Sequence, residues 1–408
     1  NEIALNKLEE EIKRNNPLYH QSFFDSSFIS LAAMQTNLSK NNQTLVELYN
    51  GDIATYLLVI TAEKTIMRKI DKSVFDSVSA AYTHYVSQEE VLNRDFNSFV
   101  NISDRLYRLV FGNISLPGGR IIISPGGKYF PFEALVTNTQ PLTYFLDNHA
   151  VSYTYSARYL LSTFTTSSSA KTFMGMAPLR FSNLSSLPGS DESLNKIQNY
   201  FGQVTSYIGH DASKNNFLNE FSKYKIIQLY THAADNESAG DPVLYFSDSA
   251  LRLSELLPEQ KPATDLIVLS ACETASGKLY SGEGVFSFNR SFAALGIPSS
   301  VSNLWEIDSR STYKITELFY KYLSKGMPLD VALQKAKKEL KATSENKLPY
   351  YWAAPILVGK ADAIHLPKNN EWKWVTGIAS LAALFLGGWM IRKRNQSLTK
   401  KSSHTKSA

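Results

Sequence analysis

Between Arg120 and Val358 the chain keeps returning to one pattern: a short apolar run closed by small or polar residues, then a longer amphipathic stretch. The runs at 120–124, 149–155, 171–177, 203–208, 225–231, 264–270, 298–304 and 356–358 are short, largely apolar or β-favouring and bounded by turn residues, which predicts strands. Apolar positions three and four apart predict helices at about 190–201, 212–222, 284–295, 310–324 and 328–342. Strands alternating with helices point to an α/β fold, a mostly parallel sheet with helices on both faces.

The N-terminal third reads differently. Ile3, Leu5, Leu8 and Ile12 recur at helical spacing before Pro17. Asn50-Gly51 separates two β-rich runs, 44–49 and 53–61, which is a hairpin signature. Residues 62–111 read as mainly helical, with Tyr107, Leu109 and Phe111 near the end. The expected division is a helical and hairpin extension over 1–115 and an α/β domain over 116–366. The Ser/Thr-rich stretch 162–169 reads as a loop where subdomains meet. Pro117-Gly118-Gly119 and Pro125-Gly126-Gly127-Lys128 are turn signals and do not form a phosphate-cradling motif.

Past the last strand, Trp374 to Ile391 is 18 residues without a charge, enough at 1.5 Å per residue to span roughly 27 Å of hydrocarbon. Trp372, Trp374 and Trp389 bracket it as interfacial anchors. The basic tail 392–408 follows. The expectation is a transmembrane helix in a lipid bilayer, with the tail cytoplasmic and residues 1–370 outside the cytoplasm by the positive-inside rule. The chain does not begin with methionine, so it is expected to start inside a longer one.

With 43% hydrophobic and 19% charged residues, the body is that of a folded globular protein. The net charge of +5 belongs to the tail, since removing its six basic residues leaves 36 basic against 37 acidic. No basic stripe with interleaved aromatics occurs, so no nucleic-acid partner is expected. A single cysteine excludes an internal disulfide and a multi-cysteine zinc site.

That cysteine, Cys272, closes the apolar run Leu266 to Ser270, and 40 positions earlier His232 closes the run Lys225 to Tyr230. A thiol at one strand end and an imidazole at another make a nucleophile with a proton acceptor, on the sheet edge where catalytic groups gather. His20, His84, His149, His210, His365 and His404 do not close such a run beside the cysteine strand. A metal at His232, Asp235 and Glu237 lacks a second histidine, and no G-x-S-x-G elbow is present. No metal or organic cofactor is expected.

The segments LYTHA, LSACET, GEGVFSFNRSFAALGIPSSVSNLW and PYYWAAPILVG resemble the CHAT domain, one of the caspase-like cysteine peptidases alongside separase, gingipain and legumain. GRIIISPGGKYFPFEAL, FMGMAP with LPGSDES, and TLVELYNGDIATYLLVIT extend the resemblance over about residues 1–366. It implies a caspase-like fold and an endopeptidase acting on protein or peptide substrates through His232 and Cys272. The backbone N–H groups of Ala233 and Cys272 would form the oxyanion hole. It also implies a tetratricopeptide-repeat region upstream. The alternative is a non-catalytic, peptide-binding scaffold of the same fold at a membrane.

Three positions depart from the family pattern. Gln228 replaces the first of two histidines, and Ala233 replaces the glycine after the second. Four positions after Trp305, where an acid usually lines the specificity pocket, stands Ser309, with Asp308 one residue earlier. Asp308 reads either as that pocket acid, selecting a basic residue before the cut, or as a helix cap. Glu283, between Gly282 and Gly284, reads as structural.

Overall fold

The computed structural model describes residues 29–127, 130–164, 171–234, 243–252, 255–256, 262–270, 279–280, 284–285, 288–343 and 347–366, with positions 7, 10, 14 and 389. The chain divides into two compact units, Asn1–Leu366 and Pro367–Ala408. An eleven-stranded sheet runs through the first unit. Its strands are β1 (Gln43–Asn50), β2 (Ala54–Ile60), β3 (Thr65–Asp71), β4 (Gly119–Ser124), β5 (His149–Tyr153), β6 (Lys171–Ala177), β7 (Val204–Ile208), β8 (Tyr224–Tyr230), β9 (Leu266–Ser270), β10 (Ser299–Asn303) and β11 (Pro355–Gly359). They lie in the order β3-β2-β1-β4-β5-β11-β10-β9-β8-β6-β7. Seven of the ten ladders are parallel. The antiparallel ones are β1–β2, β2–β3 and β10–β11.

The helices that matter below are α1 (Leu31–Asn41), α2 (Lys72–Ser87), α3 (Phe96–Phe111), α4 (Ser190–Gln198), α5 (Phe288–Ala294), α6 (Ser309–Leu323) and α7 (Leu329–Thr343). Strand parity sends side chains to opposite faces. Ile226, Tyr230, Leu266 and Val268 join the core built with α2, α3, α4, α6 and α7, whereas Ile227, Leu229, Ile267 and Leu269 join a second core with Phe288 and Phe292 of α5. Burial on both sides is why these runs are continuously apolar rather than alternating. A third cluster seats Met34 and Leu38 of α1 on Leu45, Ile60 and Ile122.

Residues 62–111 are mainly helical, through α2 and α3, but Thr65–Asp71 within them forms β3, paired with β2 from Ala54–Asp71 to Ile60–Thr65. Its alternation of exposed and covered positions is an edge-strand pattern. Asp71 then caps α2, its carboxylate accepting the Val74 N–H at 2.9 Å.

Two buried polar contacts fix the N-terminal half. Lys337 of α7 and Glu133, both almost wholly buried, meet at 2.6 Å, and the Tyr153 hydroxyl donates to the other Glu133 oxygen at 2.6 Å. His149 packs its ring 4.3 Å from that of Phe145, and burial pushes its imidazole down to about 4. Among the described residues no helix is long and apolar enough to cross a membrane. The candidate span at 374–391 lies, apart from Trp389, outside them.

Candidate functional site

Strands β8, β9 and β10 are neighbours and run parallel, so their carboxyl ends share one edge of the sheet. Tyr230 pairs with Ser270 and Val268 pairs with Val301. Counted on from these pairs, His232 and Cys272 both fall two residues past the Tyr230–Ser270 level, and Trp305 falls four past Val301 as Cys272 falls four past Val268. The topology therefore delivers the ends that lead to all three residues to one place. Cys272 itself lies outside the described residues, as does Glu283.

His232 is partly exposed and held on two sides. Its Nε2 lies 2.8 Å from the Ser185 carbonyl oxygen and 3.5 Å from the Ser185 hydroxyl. A carbonyl only accepts, so Nε2 carries the hydrogen, and Nδ1 is the nitrogen left to take up or release a proton. The ring of Phe181 stands edge-on at 4.8 Å. Both Phe181 and Ser185 belong to the loop between β6 and α4, which leaves the same sheet edge because β6 is parallel to β8. That loop is set by the close seating of α4 on β6: a Cβ at Gly175 would meet Leu194 Cδ1 at 2.2 Å, so any larger residue there has to displace the Leu194 side chain. At the other end of the loop Gly189, with φ +84°, begins α4.

After His232 the chain enters a small antiparallel sheet, Ala233–Ala234 against Val243–Tyr245 and then Ala250–Arg252. The Tyr245 N–H donates to the His232 carbonyl at 3.0 Å, and the Thr231 hydroxyl donates to the Tyr245 carbonyl. With that bond flanking it, the Ala233–Leu244 pair is of the non-hydrogen-bonded kind, so the ladder leaves the Ala233 N–H unused. Among the described residues only Asn42, Leu179 and Gln203 are non-glycine residues with positive φ. Ala233 thus has ordinary strand backbone, and glycine is not needed there.

Trp305 is buried, donating from its indole N–H to the Tyr350 carbonyl at 3.1 Å and stacking on that ring. Asp308 is exposed and occupies the cap of α6, its carboxylate accepting the Ser311 N–H at 3.0 Å. Gln228 lies fully buried inside β8 and donates to the Ser270 hydroxyl of β9 at 3.0 Å. Sequence reasoning missed Phe181 and Ser185. Ser185 acts through its main chain, which leaves no trace in residue type, and Phe181 looks like any loop aromatic.

The CHAT domain family matches residues 101–360, well over half of the chain. Separase of Saccharomyces cerevisiae, in its complex with securin, is similar in structure, with a TM-score of 0.54 at 11% identity over 81% of this chain. This chain spans only 31% of that one. Gingipain R of the RgpB type, an Arg-specific cysteine proteinase, aligns over 71% of this chain and 74% of its own, with 10% identity and a TM-score of 0.43. The complex of Porphyromonas gingivalis RgpB pro- and mature domains aligns over 72% and 78%, with 9% identity and a TM-score of 0.44. None of the curated proteins compared with it matches. The matched region takes in β4 to β11 and the histidine-bearing edge, the fold is similar to that of separase, and the chain belongs to the CHAT domain family.

Proposed function

We propose that the protein is a cysteine endopeptidase that uses Cys272 as nucleophile and His232 as general acid and base. The Cys272 sulfur attacks the scissile carbonyl carbon, giving up its proton to His232 Nδ1. Collapse of the tetrahedral adduct breaks the C–N bond, and Nδ1 returns the proton to the departing amine. Water, deprotonated by the same nitrogen, then cleaves the thioester and regenerates the thiol. The Ala233 N–H, unused by its ladder, is suited to stabilise the oxyanion beside the Cys272 N–H. No step calls for a metal or organic cofactor.

The observation that carries this reading is the orientation of His232. An imidazole whose Nε2–H is committed to a main-chain carbonyl at 2.8 Å offers Nδ1 in a fixed direction, as a proton shuttle requires. A structural histidine has no need of that arrangement at an exposed strand end. Trp305 and the exposed carboxylate of Asp308 follow the end of β10, the neighbour of the cysteine strand β9, and we assign them to the substrate pocket. Residues 374–391 are proposed to anchor the chain in a bilayer, with the tail cytoplasmic.

A digest of an unbiased peptide library with the wild type, Cys272→Ala and His232→Ala tests the chemistry. Cleavage by the wild type alone is expected. Equal digestion by all three ends the peptidase proposal, and peptide retention without cleavage by any of them leaves a binding scaffold. Carbonate extraction of membranes tests the anchor, since a spanning segment stays in the pellet.

A further inference from the structure

Gln228 donates through Nε2 to two oxygens, the Ser270 hydroxyl at 3.0 Å and the Leu229 carbonyl at 3.3 Å. The carbonyl fixes the amide orientation, because a flipped amide would set two acceptors against each other. Ser270 then has its proton to give, and its partner is the Thr316 hydroxyl of α6 at 3.3 Å. Thr316 donates in turn to the Thr312 carbonyl at 2.7 Å. A directed chain of four groups therefore runs from the middle of β8, across the last residue of β9, into α6. Gln228, Ser270 and Thr316 are all less than a tenth exposed. The Gln228 Oε1 is buried with no partner among the described residues.

A buried amide with an orphaned oxygen costs stability, which leucine of similar size would not. Such a group persists when its geometry serves something else. Ser270 is the final residue of β9, two positions before Cys272, and parallel pairing holds it to β8 only through Tyr230. We propose that Gln228 is a positioning residue: through Ser270 and Thr316 it clamps the end of the cysteine strand in register with the strand that ends at His232. This rests on the peptidase reading only for the identity of the pair being aligned. The Gln228 amide stays neutral at every pH, so the clamp does not open on acidification.

The test exploits Cys272 being the only cysteine in the chain, so alkylation reports on it alone. Iodoacetamide labelling is followed against pH for the full chain, as wild type, Gln228→Leu, Ser270→Ala and the double variant. Peptide kinetics and melting temperature are recorded in parallel. Loosening the strand end is expected to weaken the support that His232 gives the thiolate. The midpoint of the labelling profile should rise by about one unit, slowing labelling about tenfold near neutrality. kcat should fall in step, with KM changed less than twofold, and the double variant should match the single ones. Ser270→Ala removes one hydroxyl from the core surface and keeps the test open if Gln228→Leu does not fold. Unchanged labelling profiles with lowered melting temperatures overturn the proposal, and so do additive effects. A shifted profile in a protein that cleaves no peptide retains the clamp and removes the peptidase reading. A wild-type midpoint at the ordinary thiol value, about 8.5, removes both.

Discussion

Replacing Lys337 with methionine keeps the length of the side chain and removes its charge, leaving the Glu133 carboxylate buried with only the Tyr153 hydroxyl for support. Lys337 and Glu133 are 1% and 2% exposed, so water cannot take the ammonium's place. Breaking a buried pair in this way costs about 3–5 kcal/mol. The penalty of Lys337→Met should therefore be about 3–5 kcal/mol at pH 7, and Lys337→Met/Glu133→Gln, which leaves no unpaired charge, should recover more than half of it. Urea denaturation of the wild type and both variants at pH 7 measures this. A penalty below about 1 kcal/mol for Lys337→Met, or a double variant no more stable than the single one, would refute the reasoning.

His149 gives a test with a pH window of its own. Its folded-state value, pushed down to about 4 by burial, lies below the ordinary 6.5, so the unfolded chain binds the proton first and stability is lost as pH falls from about 6.5 to about 4. The loss approaches about 3 kcal/mol and should disappear in His149→Phe, read by thermal melts across that range. Gly175→Ala drives a methyl into Leu194 and should cost about 1–3 kcal/mol in urea melts. It should lower peptide cleavage as well, because the β6–α4 loop that holds His232 shifts with the helix. Asp308→Ala should cost about 1 kcal/mol and Asp308→Asn only a few tenths if capping is the residue's structural duty, again measured by denaturation.

The elements legible in the sequence were those whose environment is symmetric. β6, β8 and β9 read as strands because helices cover both of their faces, leaving continuous apolar runs such as Leu266 to Leu269. β3 escaped because Thr-Ile-Met-Arg-Lys-Ile-Asp sits at the sheet margin, with only alternate residues covered and helix-favouring charges between them. The hairpin strands Val243–Tyr245 and Ala250–Arg252 are too short to show any period. At the site, the sequence shows two apolar runs that close before His232 and Cys272, whereas the pairing of these strands with each other and with the one before Trp305 is seen only in the sheet. The same holds for the side-chain partners. Ser185 lies 47 residues from His232 in the chain, and Thr316 lies 46 from Ser270. Only folding brings such pairs together. Asp308 illustrates the reverse limit: one residue type suits both a cap and a pocket, and only the Ser311 N–H shows that the first of these is occupied.

The acceptor that orients His232 is a peptide carbonyl, and this has a consequence for genetics. No side-chain replacement at position 185 can delete it, so an alanine scan would pass over the group and find the site tolerant there. Selection acts instead on the path of the loop, through its length and the turn at Gly189, while the identities of residues 182–186 are free to drift. Homologues would then be expected to differ freely in these letters yet agree in their number. An insertion of one residue should do what no substitution can, by carrying the carbonyl away from the ring.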